Sequence, residues 1–439
     1  MRIWLLTIGE PLPSDGTAER LLRTGMLAEI LAARGHQVTW WTSTFDHARK
    51  RQRYNGDATV NVGPNYSLRL IHARPYPRNI CIRRWLNHRK IAAKFPPLAF
   101  SEPQPDLILS SLPTVDLCKA ALDYARPRNV PVAIDVRDLW PEVFVDLAPS
   151  WLRGPAELAL SPLFAEFRAV CREARAIVGT TDEYIAYACK HADRRAKTWD
   201  QSFPLGYRVS QCTTSALEAA DAFWNQLGIT TDSNRFTCCY FGNMGRHCTL
   251  ETVIAAAKQL KHCGTSMRFV FCGTGDKLTH YRKLAAGCDS IHFPGWIDAA
   301  QIQSLMARSS VGLAPYISNT NFQNNIPNKP IEYLSAGLPI VSSLGGVLQH
   351  LIDQHHCGVT YDNSNAQQLT SILLRLAQQP DQLRQMSENA RGLYHNQFDA
   401  DLVYGRMADH LEQLARSRVT TKPHFPLTAS PSGVPTSTG

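Results

Sequence analysis

An acid and an amine stand close together in a stretch whose turn-forming residues predict a short helix. Residues 321–346 read NFQNNIPNKPIEYLSAGLPIVSSLGG. We expect Asn328 to cap this helix with its side-chain oxygen, and Pro330 to take an early position where a backbone N–H is not needed. Gly337 is placed to end the helix in a left-handed conformation, before a buried strand that begins at Pro339.

Lys329 and Glu332 then lie in the first turn of this helix, the end that attracts anions. An ammonium group there can meet a phosphate, and a carboxylate can accept hydrogen bonds from a ribose diol. The alternative is that Glu332 only complements the helix dipole.

A second candidate phosphate site is a glycine-containing loop between a strand and a helix. Residues 236–241 read as a strand, 242–246 (GNMGR) as a tight loop and 249–260 as a helix. Such a loop turns backbone N–H groups and a positive dipole end toward an anion, and Arg246 adds a guanidinium suited to phosphate. A further strand, residues 267–272, ends in Gly273.

The first half begins with a predicted βαβ unit. Residues 2–8 and 37–43 read as strands and 18–34 as the helix between them. Because ligands gather beyond the carboxyl ends of parallel strands, the loop after the first strand is a candidate cleft lip. Gly16 would let backbone approach a substrate and Arg20 would supply a cation; the alternative is a plain surface turn.

A charged pair follows another predicted strand, residues 130–135. Arg137 and Asp138 stand at its carboxyl end, where a catalytic or acceptor-binding group would lie. The structural alternative is an ion pair that fixes the following loop.

Two segments suggest contact with a membrane surface. Residues 74–95 carry seven arginines and lysines with Trp85 among them, and no acid. Such a run is usually a solvated helix face, but aromatics among cations also suit anionic headgroups. Residues 151–170 are apolar and read as a pair of core helices, with a shallow membrane-contact helix as the alternative.

The composition narrows the class of function. The chain has 439 residues, enough for two domains, and a formal net charge of +9, which favours an anionic partner. No zinc-finger spacing or RNA-binding aromatic signature appears, so nucleic acid is not expected. The 12 cysteines lack a C-x-x-C pair, and no secretory signal or membrane span is evident. We expect a cytoplasmic protein, with peripheral contact to the inner face of the plasma membrane as an option.

The order of several motifs resembles the family 4 glycosyltransferases. These motifs are YFGNMGR, FVFCGTGD, HFPGWI, GLAPY and PNKPIEYLSAGLPIV, and together they extend the resemblance over roughly residues 1–415. In the first half, GHQVTWWTSTFDH and DVRDLWPE are similar to the WbuB-type transferases of bacterial surface polysaccharides. The resemblance implies the GT-B architecture, an α/β fold of two facing Rossmann-like domains with a C-terminal helix that crosses back to the first.

The resemblance also implies retaining transfer of a sugar from a nucleotide donor, with UDP the expected nucleotide, and no required metal or other cofactor. The acceptor would be a lipid-linked sugar or an oligosaccharide. The ribose-binding carboxylate corresponds to Glu332 and the phosphate-binding arginine to Arg246. The remaining residues implied on the donor side are Asn243, Gly245, Gly273, Trp296, Ile297, Asn324 and Asn328.

The sequence departs from the family pattern at three places. Asn324 stands where the first of two acids is usual, Arg137 stands where a histidine is usual, and no lysine follows Arg246 closely, so Lys329 is expected to supply that charge. A non-hydrolysing sugar-nucleotide epimerase and a non-catalytic nucleotide-sugar-binding scaffold are the alternatives. An NAD-dependent oxidoreductase is weaker, because no G-x-G-x-x-G opens the first helix.

We predict four segments. Residues 1–205 form the acceptor-side domain, 206–390 the donor-side domain, 391–416 the returning helix and 417–439 a disordered tail. Within them, residues 211–233 read as a surface insertion. Asp399 and Asp401 match a D-x-D metal pattern, but their place before a helix favours N-capping.

Overall fold

The computed structural model describes residues 1–16, 20–79, 81–146, 148–231 and 235–417. It contains two large sheets built from strands that alternate with helices. The strands are β1 (Arg2–Leu6), β2 (Gln37–Ser43), β3 (Phe45–Asp46), β4 (Arg51–Gln52), β5 (Ala58–Gly63), β6 (Tyr66–Ile71), β7 (Leu107–Ser111), β8 (Val132–Val136), β9 (Ala176–Gly179), β10 (Gln201–Ser202), β11 (Thr237–Phe241), β12 (Arg268–Cys272), β13 (Ile291–Gly295), β14 (Val311–Ala314), β15 (Ile340–Ser342) and β16 (Gly358–Thr360).

The helices cover both faces of the sheets. They are α1 (Arg23–Ala33), α2 (Ile82–Phe100), α3 (Val115–Ala125), α4 (Glu142–Val145), α5 (Arg153–Ala159), α6 (Ser161–Glu173), α7 (Asp182–His191), α8 (Thr214–Gln226), α9 (Leu250–His262), α10 (Leu278–Leu284), α11 (Ala299–Ala307), α12 (Thr320–Gln323), α13 (Asn328–Ser335), α14 (Val347–His355), α15 (Ala366–Gln378), α16 (Pro380–Leu393) and α17 (Ala400–Arg416).

The first sheet has the order β10-β9-β8-β7-β1-β2-β6-β5 and is parallel except for the edge strand β5. Its central strand β1 is apolar on both faces, as expected of a parallel strand between two helical layers. One face packs Trp4 against Trp41, with ring centroids 5.3 Å apart in an edge-to-face arrangement. The carboxyl ends of β1, β7 and β8 therefore meet at one edge of this domain.

The second sheet is wholly parallel, in the order β13-β12-β11-β14-β15-β16. Strand β11 lies near its middle, with every residue buried. The loops after β11, β12 and β14 therefore share one edge, which positions the donor-side candidates.

The last helix returns to the first domain, as predicted. The apolar face of α17, including Tyr404, Met407 and Leu411, is buried in the core that also holds residues of β1 and α1. Arg34 pairs with Asp409 at 2.6 Å on the outer side of this contact. Asp399 caps α17 by accepting the N–H groups of residues 401 and 402, so the capping interpretation of the D-x-D pattern is confirmed.

Three sequence expectations need correction. Helix α1 begins at Arg23 rather than residue 18, because the Glu10 carboxylate accepts the backbone N–H of Thr24 at 3.0 Å and acts as a distant cap. Residues 17–19 lie outside the described residues. The expectation of a core helix pair in residues 151–170 is wrong for α5, none of whose residues is buried.

The expected surface insertion is also wrong. Its helix α8 packs on α11, and the fully buried Trp224 donates its indole N–H to the backbone oxygen of Gln301 at 3.0 Å. Residues 232–234 and 418–439 lie outside the described part of the chain, so the tail stays a prediction, as do the four segment boundaries. No helix among the described residues has the length and apolar character needed to cross a membrane.

Candidate functional site

The first turn of α13 carries Lys329 and Glu332, the amine and the acid from which the site was predicted. Pro327 takes the N-cap position, so the expectation that Asn328 caps the helix is wrong: Asn328 is the first helical residue, and its side chain makes no capping bond. The end of the helix is as predicted, because Gly337 has φ +67° and its N–H donates to the backbone oxygen of Leu334. Lys329 and Glu332 consequently keep their expected places in the first turn.

Two glycine turns interlock beside this helix. The N–H of Gly242 donates to Cys272 and the N–H of Met244 donates to Thr274, at 2.9 and 2.8 Å. Gly273 has φ +126°, and a Cβ there would collide with the backbone of Gly242. The loops after β11 and β12 can approach this closely only because both carry glycine.

Lys329 lies directly on the first of these turns. A Cβ built on Gly242 would overlap Cε and Nζ of Lys329, and the ammonium stands 5.9 Å from the Tyr240 ring centroid. Burial lowers the pKa of Lys329, and the nearby Glu332 acts against that decrease. The amine therefore lies against the Gly242 turn, in partly desolvated surroundings that would strengthen its attraction to an anion.

Arg246, Asn243 and Gly245 belong to the same loop. Arg246 is exposed, and its Nε donates to His247 at 3.0 Å, while the His247 ring lies 5.1 Å from that of Phe322. Asn243 is exposed and its side-chain amide stands over Gly245. The loop thus offers a solvent-facing guanidinium next to the half-buried Lys329.

Glu332 contacts the other domain. Its Oε1 accepts from Nη1 of Arg20 at 2.7 Å; the Glu332 side chain is 7% exposed and the Arg20 side chain 43% exposed. The Arg20 guanidinium also stands 4.7 Å from the Tyr207 ring centroid. Arg20, predicted on the acceptor side, therefore bridges the domains and meets the carboxylate predicted to hold the donor.

A second bridge between the domains is centred on Asn321 of α12. Its side-chain oxygen accepts the N–H of Leu139 and the hydroxyl of Tyr184, both at 2.9 Å, and its amide donates to Asp138 at 3.3 Å. Burial raises the pKa of Asp138, and the bond from Asn321 acts against that rise. Asn324 adds a contact nearby, its backbone oxygen accepting from Thr181 Oγ1 at 2.7 Å.

Arg137 points into a buried ionic cluster. Its Nε donates to Asp135 at 2.6 Å, and its Nη1 pairs with Glu10. Arg23 also holds the Asp135 carboxylate, through its Nε at 3.0 Å. Burial opposes ionisation of Asp135, but both arginines outweigh it and keep its pKa below the usual value. Arg137 therefore forms ion pairs with Asp135 and Glu10 and not with Asp138 of the following loop, and a catalytic role for Arg137 stays a prediction.

The remaining candidates differ in their exposure to solvent. Trp296 follows β13 and is 72% exposed, whereas Ile297 is 5% exposed and packs in the core. Gly16 has φ +152°, with open space around its Cα. The structure therefore brings Lys329, Glu332 and the two glycine turns together. The roles of Trp296, Ile297 and Gly16 stay predictions.

Two residues of the site were not singled out from the sequence. Glu10 receives Arg137 and caps α1, and Asn321 joins the domains. Glu10 stands at the carboxyl end of β1, where a chemical role can be read from position. Asn321 carried no such signal, because its partners come from elements more than 100 residues away.

Comparison with solved structures defines the class of fold. Sucrose-phosphate synthase from Thermosynechococcus elongatus matches with a TM-score of 0.70 at 18% identity, over 94% of this chain and 98% of the synthase. HepE from Anabaena, in complex with UDP, matches with a TM-score of 0.62 at 15% identity, over 94% of this chain and 99% of HepE. The chain has the GT-B fold, and the predicted fold class is confirmed.

Comparison with known sequences indicates the family that residues 235–379 resemble. Residues 235–379 match the family model described as Glycosyl transferases group 1. The amylovoran biosynthesis glycosyltransferase AmsK of Erwinia amylovora is 26% identical over 170 residues, which cover 38% of this chain and 42% of AmsK. Residues 235–379 are therefore similar to the glycosyl transferases group 1 family, and the match to AmsK spans less than half the length of that protein. Assignment to family 4 and to the WbuB type stays a prediction.

Proposed function

We propose that this protein is a retaining glycosyltransferase of bacterial surface polysaccharide biosynthesis. It would move a sugar from a nucleotide diphosphate, with UDP expected, to a lipid-linked sugar or an oligosaccharide. The observation that carries the proposal is the placement of Lys329 on the Gly242 turn, beside the buried Glu332. The names of AmsK, for amylovoran biosynthesis, and of the HepE complex with UDP support the substrate classes.

The difficult step is departure of the nucleoside diphosphate from the anomeric carbon, because the leaving group gains negative charge as the bond breaks. In the proposed mechanism Arg246, Lys329 and the loop N–H groups neutralise that charge, with no metal ion required. Fixed donors aimed at developing charge typically contribute about 3 kcal/mol each. The partial burial of Lys329 strengthens this contribution, because it reduces screening of the charge by water.

Glu332 is proposed to accept the two ribose hydroxyls. Its Oε1 is engaged by Arg20, so a bound nucleotide would share or replace that contact. A carboxylate can accept several hydrogen bonds, and the exposed Arg20 side chain has room to move. We expect Asn243 and Trp296 to contribute to donor binding from the neighbouring loops.

The acceptor is proposed to approach from the first domain. Gly16, Asp138 and Arg137 lie toward that side, and Asp138 faces the second domain through Asn321. The cationic segment at the start of α2 would hold the protein at an anionic membrane surface on the cytoplasmic side.

The test is a transfer assay followed by NMR. UDP-sugars are incubated with the full chain, with and without a lipid-linked acceptor and in the presence of EDTA. We expect acceptor-dependent product that keeps the anomeric configuration of the donor. Conversion of the donor without acceptor would indicate the epimerase, and binding without any conversion would indicate the scaffold.

A matched pair of variants tests the role of the loop arginine. Arg246→Ala should lower kcat roughly a hundredfold, whereas Arg282→Ala, another exposed arginine of the same domain, should not. Equal turnover by the two variants would reject this role. Glu332→Gln should weaken UDP binding in calorimetry, and an unchanged Kd would remove Glu332 from the site.

A further inference from the structure

The first domain contains a cavity that the proposed donor site does not use. It measures about 640 Å³ and lies between the start of α2, the α5–α6 segment and the loops after β7 and β8. This volume is in the range of roughly 300–1,000 Å³ that is usual for ligand sites. Its walls are largely apolar, formed by Ile82, Trp85, Trp140, Phe144, Leu160 and Leu163.

Part of this apolar surface is open to solvent. Ile82 is 76% exposed and Trp85 is 45% exposed at the mouth of the cavity. Large apolar side chains grouped around a cavity and left exposed mark a binding surface more often than a chance feature of the fold. An occupant would therefore be apolar over most of its length.

One end of the cavity is cationic. Arg84 lines it and donates through Nη1 to the backbone oxygen of Asn79 at 2.7 Å, while its Nε is buried without a hydrogen-bond partner. Lys50 stands just behind, donating to the Asn79 side chain. Over the described residues no acid forms an ion pair with Arg84 or Lys50. An anionic group is the missing partner for these two charges.

The pKa values of neighbouring groups indicate a net positive charge at this end of the cavity. Burial, together with the charges of Lys50 and Arg84, lowers the pKa of His47 to about 4, with Asp46 acting in the opposite direction. Burial lowers the pKa of Lys50 as well, with Arg84 acting in the same direction. The cavity also has an acidic side, where Asp116 lies 3.9 Å from Arg89, and burial together with Glu166 raises the pKa of Asp116. Asp116 is thus in contact with Arg89, whereas among the described residues no acid forms an ion pair with Arg84.

The cationic end lies toward the cleft between the domains. Trp140 follows Asp138 by two residues and forms part of the wall. The charge of Arg84 acts on Asp138, adding to Asn321 and Arg137 against the effect of burial. An anion held by Arg84 would therefore lie near the edge of the first domain that faces the second.

We propose that this cavity binds a lipid phosphate, with the apolar chain along its walls and the phosphate or diphosphate held by Arg84 and Lys50. The inference rests on the proposed function, because such a lipid phosphate would carry the acceptor sugar. It identifies the acceptor as an amphiphile and adds a site for its lipid phosphate, while its sugar would lie toward Gly16, Asp138 and Arg137.

The test is direct binding to the full-length protein. Farnesyl diphosphate, farnesol and inorganic pyrophosphate are titrated separately, with tryptophan fluorescence and calorimetry as readouts. Farnesyl diphosphate should bind at least about tenfold more tightly than either fragment, because each buried methylene contributes about fourfold and a charged hydrogen bond about tenfold.

Two matched pairs of variants locate the site. Ile82→Glu and Leu158→Glu each place a charge at a leucine-sized side chain that is 76% exposed, but only Ile82 lines the cavity. Arg84→Gln and Arg83→Gln remove neighbouring charges, of which only Arg84 lines it. The cavity variants should raise the Kd of farnesyl diphosphate about tenfold, and their controls by less than about twofold.

Equal losses within each pair would show general adsorption to the exposed apolar surface or a membrane, and would overturn the proposal. Binding of farnesol as tight as that of farnesyl diphosphate would overturn it too. UDP-sugar binding by the same variants separates the two proposals, because the lipid site can fail while the donor still binds. Lipid binding as expected with no nucleotide-sugar binding would instead overturn the proposed function.

Discussion

Gly242→Ala is the substitution that most sharply tests the placement of Lys329. A Cβ at this position would overlap Cε and Nζ of Lys329, and residue 242 has φ +143°, which L-residues rarely adopt. The obstacle is the end of a flexible side chain, so the lysine can turn away while the fold is kept. The variant should therefore remove the ammonium from the glycine turn.

The size of the effect follows from two separate costs. The backbone conformation should destabilise the protein by roughly 1–3 kcal/mol. The displaced ammonium should remove about 3 kcal/mol of transition-state stabilisation, or roughly a hundredfold in kcat. Gly264→Ala is the control for a backbone cost without a steric contact, because residue 264 also has a positive φ, +71°, and open space around it. Gly273→Ala should be more damaging to stability, since its Cβ would meet the rigid backbone of Gly242.

The assay combines urea unfolding with steady-state kinetics on a double-mutant cycle. If Lys329 transmits the effect, Lys329→Ala alone should lower kcat about as much as Gly242→Ala, and the two together should add little more. Gly264→Ala should keep normal turnover. Full activity of Gly242→Ala, or additive losses in the cycle, would refute the placement of the ammonium at the reacting phosphate.

Two further predictions concern pH. Because burial lowers the pKa of Lys329 below the ordinary 10.5, affinity for UDP in calorimetry should fall as pH rises from neutral, before that value is reached. Lys329→Arg should bind UDP with no such dependence, and the same slope in that variant would assign it to another group. The folded-state pKa of Asp135 is lowered from 3.8, so its contribution to stability is full above that value and is lost as pH falls below it. Asp135→Asn should cost roughly 3–5 kcal/mol in urea unfolding at neutral pH, because it leaves Arg23 and Arg137 without their shared charge; a loss under 1 kcal/mol would contradict this.

Much of the fold was predictable because its signals are local. The bounds of β2 and the end of α17 at Arg416 agree with the sequence interpretation, since an apolar run marks the strand and an amphipathic period marks the helix. The start of α1 was not predictable in this way. Its cap is the side chain of Glu10, which meets Thr24 only after the loop between them has folded.

Some contacts of the candidate site could likewise be predicted from the sequence, and others could not. The meeting of Lys329 with the Gly242 turn could be expected, because loops after neighbouring parallel strands share an edge. The directions in which the Arg20 and Arg137 side chains point could not be expected in this way. A long cationic side chain turns toward whichever carboxylate the rest of the fold places within its reach. Those carboxylates, Glu332 for Arg20 and Glu10 for Arg137, are distant in the sequence.

The two bridges between the domains differ in strength in a way that bears on the proposed reaction. The Arg20–Glu332 pair joins a half-exposed cation to a buried carboxylate, and ribose hydroxyls would replace the cation there, so the exchange should cost less than leaving Glu332 unpaired. The Asn321 bridge makes bonds to Leu139, Tyr184 and Asp138 in part-buried surroundings, and losing a buried partner costs about 1–3 kcal/mol for each group. A nucleotide with micromolar affinity gains about 8 kcal/mol on binding, so it can displace Arg20 from Glu332 at small cost and leave the Asn321 bridge intact. Donor entry on this account needs the movement of one side chain and no separation of the domains.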